Sequence, residues 1–194
     1  MKRKVIETED GSSTILIEEW GESFHSIHGA IQEAQHVYID NGLRFVFQED
    51  KQDIDILEIG FGTGLNCFMS FLECLNFEKT IHYVGIEGFP LNETEWKTLN
   101  YPCVLSLRNK VHFDKIHEVN WAEKQMISTH FNLTKYQLMF DEIDFDNQFD
   151  LVYFDAFGYQ YQPELWTENI FVKIKKAMKP GGVLVTYACK GVVN

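Results

Sequence analysis

"ILEIGFGTGLN", residues 56–66, is an apolar run that closes on three glycines at alternate positions, Gly60, Gly62 and Gly64, with Glu58 two residues ahead of the first. The run belongs to "IDILEIGF" (54–61), which reads as a short strand. "LNCFMSFLECLN" (65–76) behind it has a helix-like apolar period, so the glycines stand at a strand-to-helix turn. Glycine there permits a tight turn and lets a ligand approach the bare backbone.

Outward from this turn the same alternation continues. "IHYVGIEGF" (81–89) reads as a second strand, and "LNETEWKTLN" (91–100) as a helix capped by Asn92 or Thr94. "WAEKQMISTHF" (121–131) is predicted helical. "YQLMF" (136–140) is a third strand and "FDLVYFDAF" (149–157) a fourth. "PELWTENIFVKIKKAM" (163–178) is a helix opened by Pro163, and "GGVLVTYA" (181–188) is a fifth strand. Apolar strands alternating with helices imply an α/β fold with a mostly parallel sheet, helices on both faces, and ligands bound at the carboxyl ends of the strands. Ahead of it lies an N-terminal β/α extension, in which "STILIEEW" (13–20) alternates like a strand and "GAIQEAQHVYIDNGL" (29–43) reads as a helix stopping at Asn41-Gly42.

A length of 194 residues suits one compact unit with a full core. The net charge of −12 argues against nucleic-acid binding through a general positive field, so an RNA substrate would need a local basic patch. The basic residues that do cluster, Lys2, Arg3 and Lys4, and Lys173, Lys175, Lys176 and Lys179, read first as solvated faces. Cys67, Cys74, Cys103 and Cys189 include no CxxC pair and read as buried thiols of a reducing compartment. No apolar segment follows the basic start, so neither signal peptide nor membrane span is expected and the protein is assigned to the cytoplasm. His25, His28 and His36 lack matching Cys or carboxylate spacing, and no metal is expected. Glu33 and His36, three apart on one helical face, read as structural capping.

The glycine pattern is not that of a dinucleotide fingerprint, since the third glycine falls one place early. Glu58-x-Gly60-x-Gly62-x-Gly64 is the form found in S-adenosylmethionine-dependent methyltransferases, where the loop packs against the methionine and ribose portions and a nearby carboxylate suits the cationic amino group. Glu87, closing the second strand, can accept from both ribose hydroxyls. In "FDEIDFDNQFD" (140–150) Asp141 or Glu142 meets the adenine amino group, with Glu142 the nominal choice of two the sequence does not separate. Asp155, directly after an apolar run, faces the reacting centre. Phe157, Tyr159, Tyr161 and Trp166 form either an aromatic wall or plain core.

Five segments, "HGAIQEAQHVYIDNGL", "LEIGFGTGLN", "GIEGFPL", "DLVYFDAFGYQYQPELWT" and "KPGGVLVTYACKGVV", together resemble the methyltransferase domain of the MnmC family and its stand-alone MnmD counterparts, which modify tRNA. The resemblance runs from about His28 to the end of the sequence; a Rossmann-like methyltransferase domain is expected at 49–194, with residues 1–48 packed on it as the extension. The resemblance implies methyl transfer from S-adenosylmethionine to the exocyclic amine of 5-aminomethyl-(2-thio)uridine at the wobble position. By it Gly60, Gly62, Gly64 and Glu87 belong to the cofactor site and Asp155 to catalysis, and Glu33 and His36 gain a role at the mouth of the site as the alternative to capping. The residues themselves add Glu58, Phe61, Thr63, Asn66 and Glu142 as cofactor candidates, and Phe157, Tyr159 and Trp166 as substrate candidates. A fold of this kind continues past the fifth strand with a helix and two strands, so the C-terminal strands are expected to be missing at Asn194. The alternatives are an aminopropyltransferase of the spermidine synthase kind, which holds an amine with an Asp at the same strand end, and a non-catalytic adenosyl-binding module. Oligomeric state is not legible in the sequence.

Overall fold

The computed structural model describes residues 2–77 and 79–188. Among them, strands β1 (Arg3–Glu7), β2 (Ser13–Ile17) and β3 (Glu22–Ser23) form a three-stranded antiparallel sheet in that order. β4 (Asp53–Ile59), β5 (Thr80–Ile86), β6 (Gln125–Ser128), β7 (Phe131–Tyr136), β8 (Phe149–Phe154) and β9 (Met178–Thr186) form a second sheet, ordered β6-β7-β5-β4-β8-β9. All its neighbours are parallel except β6 with β7. This is the Rossmann-like α/β sheet expected, with β4 at its centre and helices on both faces.

The strand period of two assigns each side chain to a face. Ile54 and Ile56 of β4, with Leu151 and Tyr153 of β8, face the N-terminal helical segments and the helix Leu65–Phe77. Leu57, Ile59, Val152 and Phe154 face the helix Glu168–Ala177 on the other side. Phe68 is fully buried on the first face, edge-on to Phe113 with ring centroids 5.2 Å apart. Phe68→Ala should therefore destabilise the fold by about 3–5 kcal/mol, read as a lowered urea midpoint at unchanged slope.

Several local expectations are corrected. The first helix does not stop at Asn41-Gly42: α-helix Ala30–Ala34 runs into a π-helix, Gln35–Leu43, and then α-helix Arg44–Phe47. Gly42 serves close approach rather than termination, because a Cβ there would stand 3.1 Å from Val185 and 3.3 Å from Tyr153 on the sheet. The 121–131 segment is not helical but carries β6, whose pairing with β7 outweighs local helix propensity. The third strand is Phe131–Tyr136 rather than 136–140. Its inward positions are Phe131, Leu133 and Lys135, and the charged third member hides the alternation. Lys135 is buried, donates to the carbonyl of His117 at 2.7 Å and lies 4.8 Å from the Trp121 ring centre; burial lowers its pKa to about 8. The 91–100 helix is a single turn, Glu93–Trp96, with an Asn92 capping box. The Pro163 segment is a 3₁₀ turn, Pro163–Trp166, separate from the helix Glu168–Ala177. Of the cysteines, Cys67 and Cys74 are buried but Cys103 is exposed, and Cys189 lies outside the described residues.

Candidate active site at the carboxyl ends of β4, β5 and β8

A cavity of about 280 Å³ opens where β4, β5 and β8 end. Gly60, Phe61, Gly62, Asn66, Glu87, Asp155 and Phe157, all expected site residues, line it. Gly60 and Phe61 both donate their backbone N–H to the Ile86 carbonyl at 3.0 Å, which folds the loop back over β5. Gly60 has φ +93, and a Cβ there would collide with the Asp155 carbonyl oxygen. Gly62, at φ +48, donates its N–H to Glu87 Oε2 at 2.9 Å, while Glu87 Oε1 accepts from the Phe89 N–H at 2.8 Å. Those two bonds orient the Glu87 carboxylate at the cavity wall and leave lone pairs for a ligand, since a carboxylate offers about four acceptor sites.

Asp155 sits half-buried at the tip of β8. Its Oδ1 accepts from the Tyr38 hydroxyl at 2.6 Å and its Oδ2 from Asn66 Nδ2 at 2.8 Å. Burial pushes its pKa up to about 7; the Tyr38 and Asn66 hydrogen bonds oppose that, and the charges of Glu33 and Glu87 add to it. Asn66 Nδ2 also donates to Glu58 Oε1 at 3.0 Å, so one amide ties two carboxyls together. Asn66 Oδ1 is buried without a hydrogen-bond partner among the described residues, leaving an acceptor for a cationic donor.

Other expected residues stand elsewhere. Glu58 shares a strand face with Ile56 and is paired in register with Tyr153, so it lies beneath the helix Leu65–Phe77, 1% exposed, and not on the cavity wall. Burial, reinforced by Asp155, raises its pKa well above the ordinary range and favours its neutral form. Thr63 is buried behind the loop, 2.7 Å from His25 Nε2 and accepting from the Tyr101 hydroxyl at 3.2 Å. A Cβ on Gly64 would stand 3.0 Å from His117 Nε2, so that glycine serves packing. Asp141 lines the cavity, whereas Glu142 accepts from the Met139 N–H at 2.6 Å and caps a 3₁₀ turn. Trp166 supports the wall from behind, its indole N–H donating to the Phe157 carbonyl at 2.8 Å and its ring edge-on to Phe154. Tyr159 is exposed and does not line the cavity.

The extension supplies what sequence reading missed. Arg3, Trp20, Phe24 and His25 line the cavity, and Phe157 stands edge-on to both Trp20 and Phe24 at 5.3 and 5.2 Å. Arg3 donates from Nη2 to the Phe89 carbonyl at 2.7 Å and from Nη1 to that of Pro90 at 3.3 Å, clamping the loop that carries Glu87. His25 is held neutral by burial, its pKa lowered to about 4. His28 lies beside Glu9 at 3.2 Å and His36 is exposed, so the three histidines do not converge. Among the described residues no group of three or more His, Cys, Asp or Glu has metal-binding geometry, and no helix is long and apolar enough to cross a membrane. Three of the clustered lysines are paired with carboxylates, Lys2 with Glu18, Lys176 with Asp144, and Lys179 with Asp55 and Asp150.

Residues 110–194 match a family model described as S-adenosyl-L-methionine-dependent methyltransferase. The tRNA 5-methylaminomethyl-2-thiouridine biosynthesis bifunctional protein MnmC of Leptospira interrogans is 26% identical over 191 residues, covering 93% of this chain, and its namesake from Pseudomonas savastanoi pv. phaseolicola is 26% identical over 187 residues, covering 91%. The crystal structure of MNMC2 from Aquifex aeolicus superposes with a TM-score of 0.80 at 24% identity, over 99% of this chain and 62% of that one. The fold is that of MNMC2. The resemblance read from five sequence segments thus extends along nearly the whole chain, although the chain spans only 30% and 28% of the lengths of the two MnmC relatives.

Proposed function

We propose that the protein is an S-adenosylmethionine-dependent methyltransferase acting on the exocyclic amine of 5-aminomethyl-(2-thio)uridine at the tRNA wobble position, in the cytoplasm. The observation that carries the reading is Asp155, held on both oxygens at a strand tip beside a glycine loop whose backbone is exposed to the cavity. The likeness to proteins named for tRNA 5-methylaminomethyl-2-thiouridine biosynthesis supports the choice of acceptor.

The cavity suits an adenosyl sulfonium: Gly60, Gly62 and Asn66 would hold the methionine portion, Glu87 the ribose hydroxyls and Asp141 the adenine amino group. When bound, that cofactor supplies a methyl carbon on a positively charged sulfur that leaves as a thioether. Phe157, with Trp20 and Phe24 behind it, gives a flat wall against which a uracil can stack and water is excluded. An alkylamine with a pKa on the order of 10 is mostly protonated near neutrality, and only its neutral form is nucleophilic. Asp155 accepts a hydrogen bond from that nitrogen, aims its lone pair at the methyl carbon, and takes up the proton released as the N–C bond forms and the C–S bond breaks.

Labelled donor should be incubated with tRNA lacking the methyl group and the nucleosides analysed by mass spectrometry. Conversion of the aminomethyluridine to its methylated form is expected. Aminopropyl transfer from decarboxylated donor to putrescine, or cofactor binding with no transfer in either assay, would overturn the reading. Arg3→Gln, which removes charged hydrogen bonds from the Glu87 loop, should raise the Kd for S-adenosylhomocysteine roughly tenfold by calorimetry.

A further inference from the structure

We propose that Tyr38 is a positioning residue for Asp155, and that the π-helix Gln35–Leu43 exists in this fold to deliver its hydroxyl there. The inference rests on the methyltransferase reading for its catalytic meaning, and on geometry for the rest. Tyr38 is 117 residues away in sequence yet donates to Asp155 Oδ1 at 2.6 Å, while Asn66, from a different helix, donates to Oδ2 at 2.8 Å. Two donors from two elements fix the plane of the carboxylate and leave the remaining lone pairs for the acceptor amine.

The phenol has no freedom of its own. Tyr38 is 1% exposed, with its ring 5.1 Å from that of Tyr153. Burial raises its pKa well above the ordinary phenol value, so it remains a donor throughout the working range. Wide turns are rare and recur at functional sites. Here the wide segment begins three residues before Tyr38 and includes Gly42, which lets the same helix settle against Tyr153 and Val185. An α-helical path from Gln35 would advance each residue by about 100° and set Tyr38 at a different angle to Asp155.

The charged and titratable groups facing Asp155 are Tyr38 and Glu33 on the N-terminal helix, Glu58 on β4, Glu87 after β5, Tyr101 and, after β9, Tyr187. Of these, Tyr38 stabilises the ionised carboxylate by hydrogen bonding, and Glu33 and Glu87 disfavour it. Tyr38→Phe keeps the ring and its packing and deletes only the donor. The Asp155 carboxyl should then titrate at higher pH, by about one unit.

The test has two readouts. In ¹³C-carboxyl-labelled protein without substrate, the Asp155 titration midpoint is compared between wild type and Tyr38→Phe; an upward move is expected, and an unchanged midpoint overturns the proposal. In the methyl-transfer assay the variant should lose roughly tenfold to a hundredfold in kcat at nearly constant cofactor KM, with the acidic limb of the pH profile displaced upward. A fall in kcat with the limb in place would mark a purely structural role and also overturn it. Should Tyr38→Phe fail to fold, site-specific Tyr38→3-fluorotyrosine, a stronger donor of nearly the same shape, should move the midpoint downward, and an unmoved midpoint counts against the proposal. If the wild type transfers no methyl group, the functional reading falls while the carboxyl titration still decides whether Tyr38 governs Asp155.

Discussion

Asp155→Asn should lower kcat by ~100-fold or more while leaving the affinity for S-adenosylhomocysteine within a few-fold of wild type. The amide matches the carboxylate in shape but cannot take a proton from the acceptor nitrogen, and its NH₂ would meet the donor groups of Tyr38 or Asn66. Cofactor contacts on the glycine loop and Glu87 are untouched, so the loss belongs to kcat. The wild-type pH profile should carry the same signature. Asp155 must be ionised to accept a proton, and its pKa is pushed up to about 7, so activity rises with pH through about 7 rather than through the ordinary carboxylate range near 4. Steady-state rates across pH 5.5–9 in wild type and variant check both statements; an Asn variant with near-normal turnover removes Asp155 from the chemistry.

The second large effect is at Gly60. With φ +93, any L-residue there costs on the order of 1–3 kcal/mol in backbone strain, and the new Cβ also collides with the Asp155 carbonyl. Gly60→Ala must therefore displace the loop and the tip of β8 together. The expected result is a melting temperature lower by roughly 2–12 °C, and loss of the further rise that the ligand gives the wild type. Gly11→Ala is the control: it has φ +78 but nothing within 4 Å of the added Cβ, so it should show strain alone and keep the ligand-induced rise. A Gly60 variant that still gains full thermal protection from the ligand would show that the loop does not seat it.

The parts legible in the sequence were those with a strong local period or punctuation. The apolar strands β4, β5 and β8 and the glycine turn between β4 and its helix could be read directly, as could an acid at each of the next two strand tips, Glu87 and Asp155. What escaped depended on tertiary context. Glu58 looks like a strand-end acid until the two-residue period of β4 turns it under the helix, opposite Tyr153. Lys135 broke the apolar pattern of β7 because its charge is met by a carbonyl and aromatic faces supplied by distant segments. Asp141 and Glu142 are adjacent, and only the 3₁₀ turn decides which faces the cavity. Tyr38 left no local signal, since its partner is on β8 and a π-helix has the composition of an ordinary helix. The signal that was available, its place inside a segment that resembles the MnmC family, pointed to Glu33 and His36 just as much. Trp20 reads as the end of a short strand and His25 as one of three scattered histidines, with nothing local in either, or in Phe24, to say that the extension walls the cavity.

The most direct test of the central claim is a calorimetric titration of the wild-type protein with S-adenosylmethionine, run beside transfer of its labelled methyl group to unmethylated wobble-aminomethyl tRNA. Saturable heat at one site per chain, with label recovered on the aminomethyl nitrogen, is the predicted result. No heat and no label, from protein shown to be folded, would contradict it.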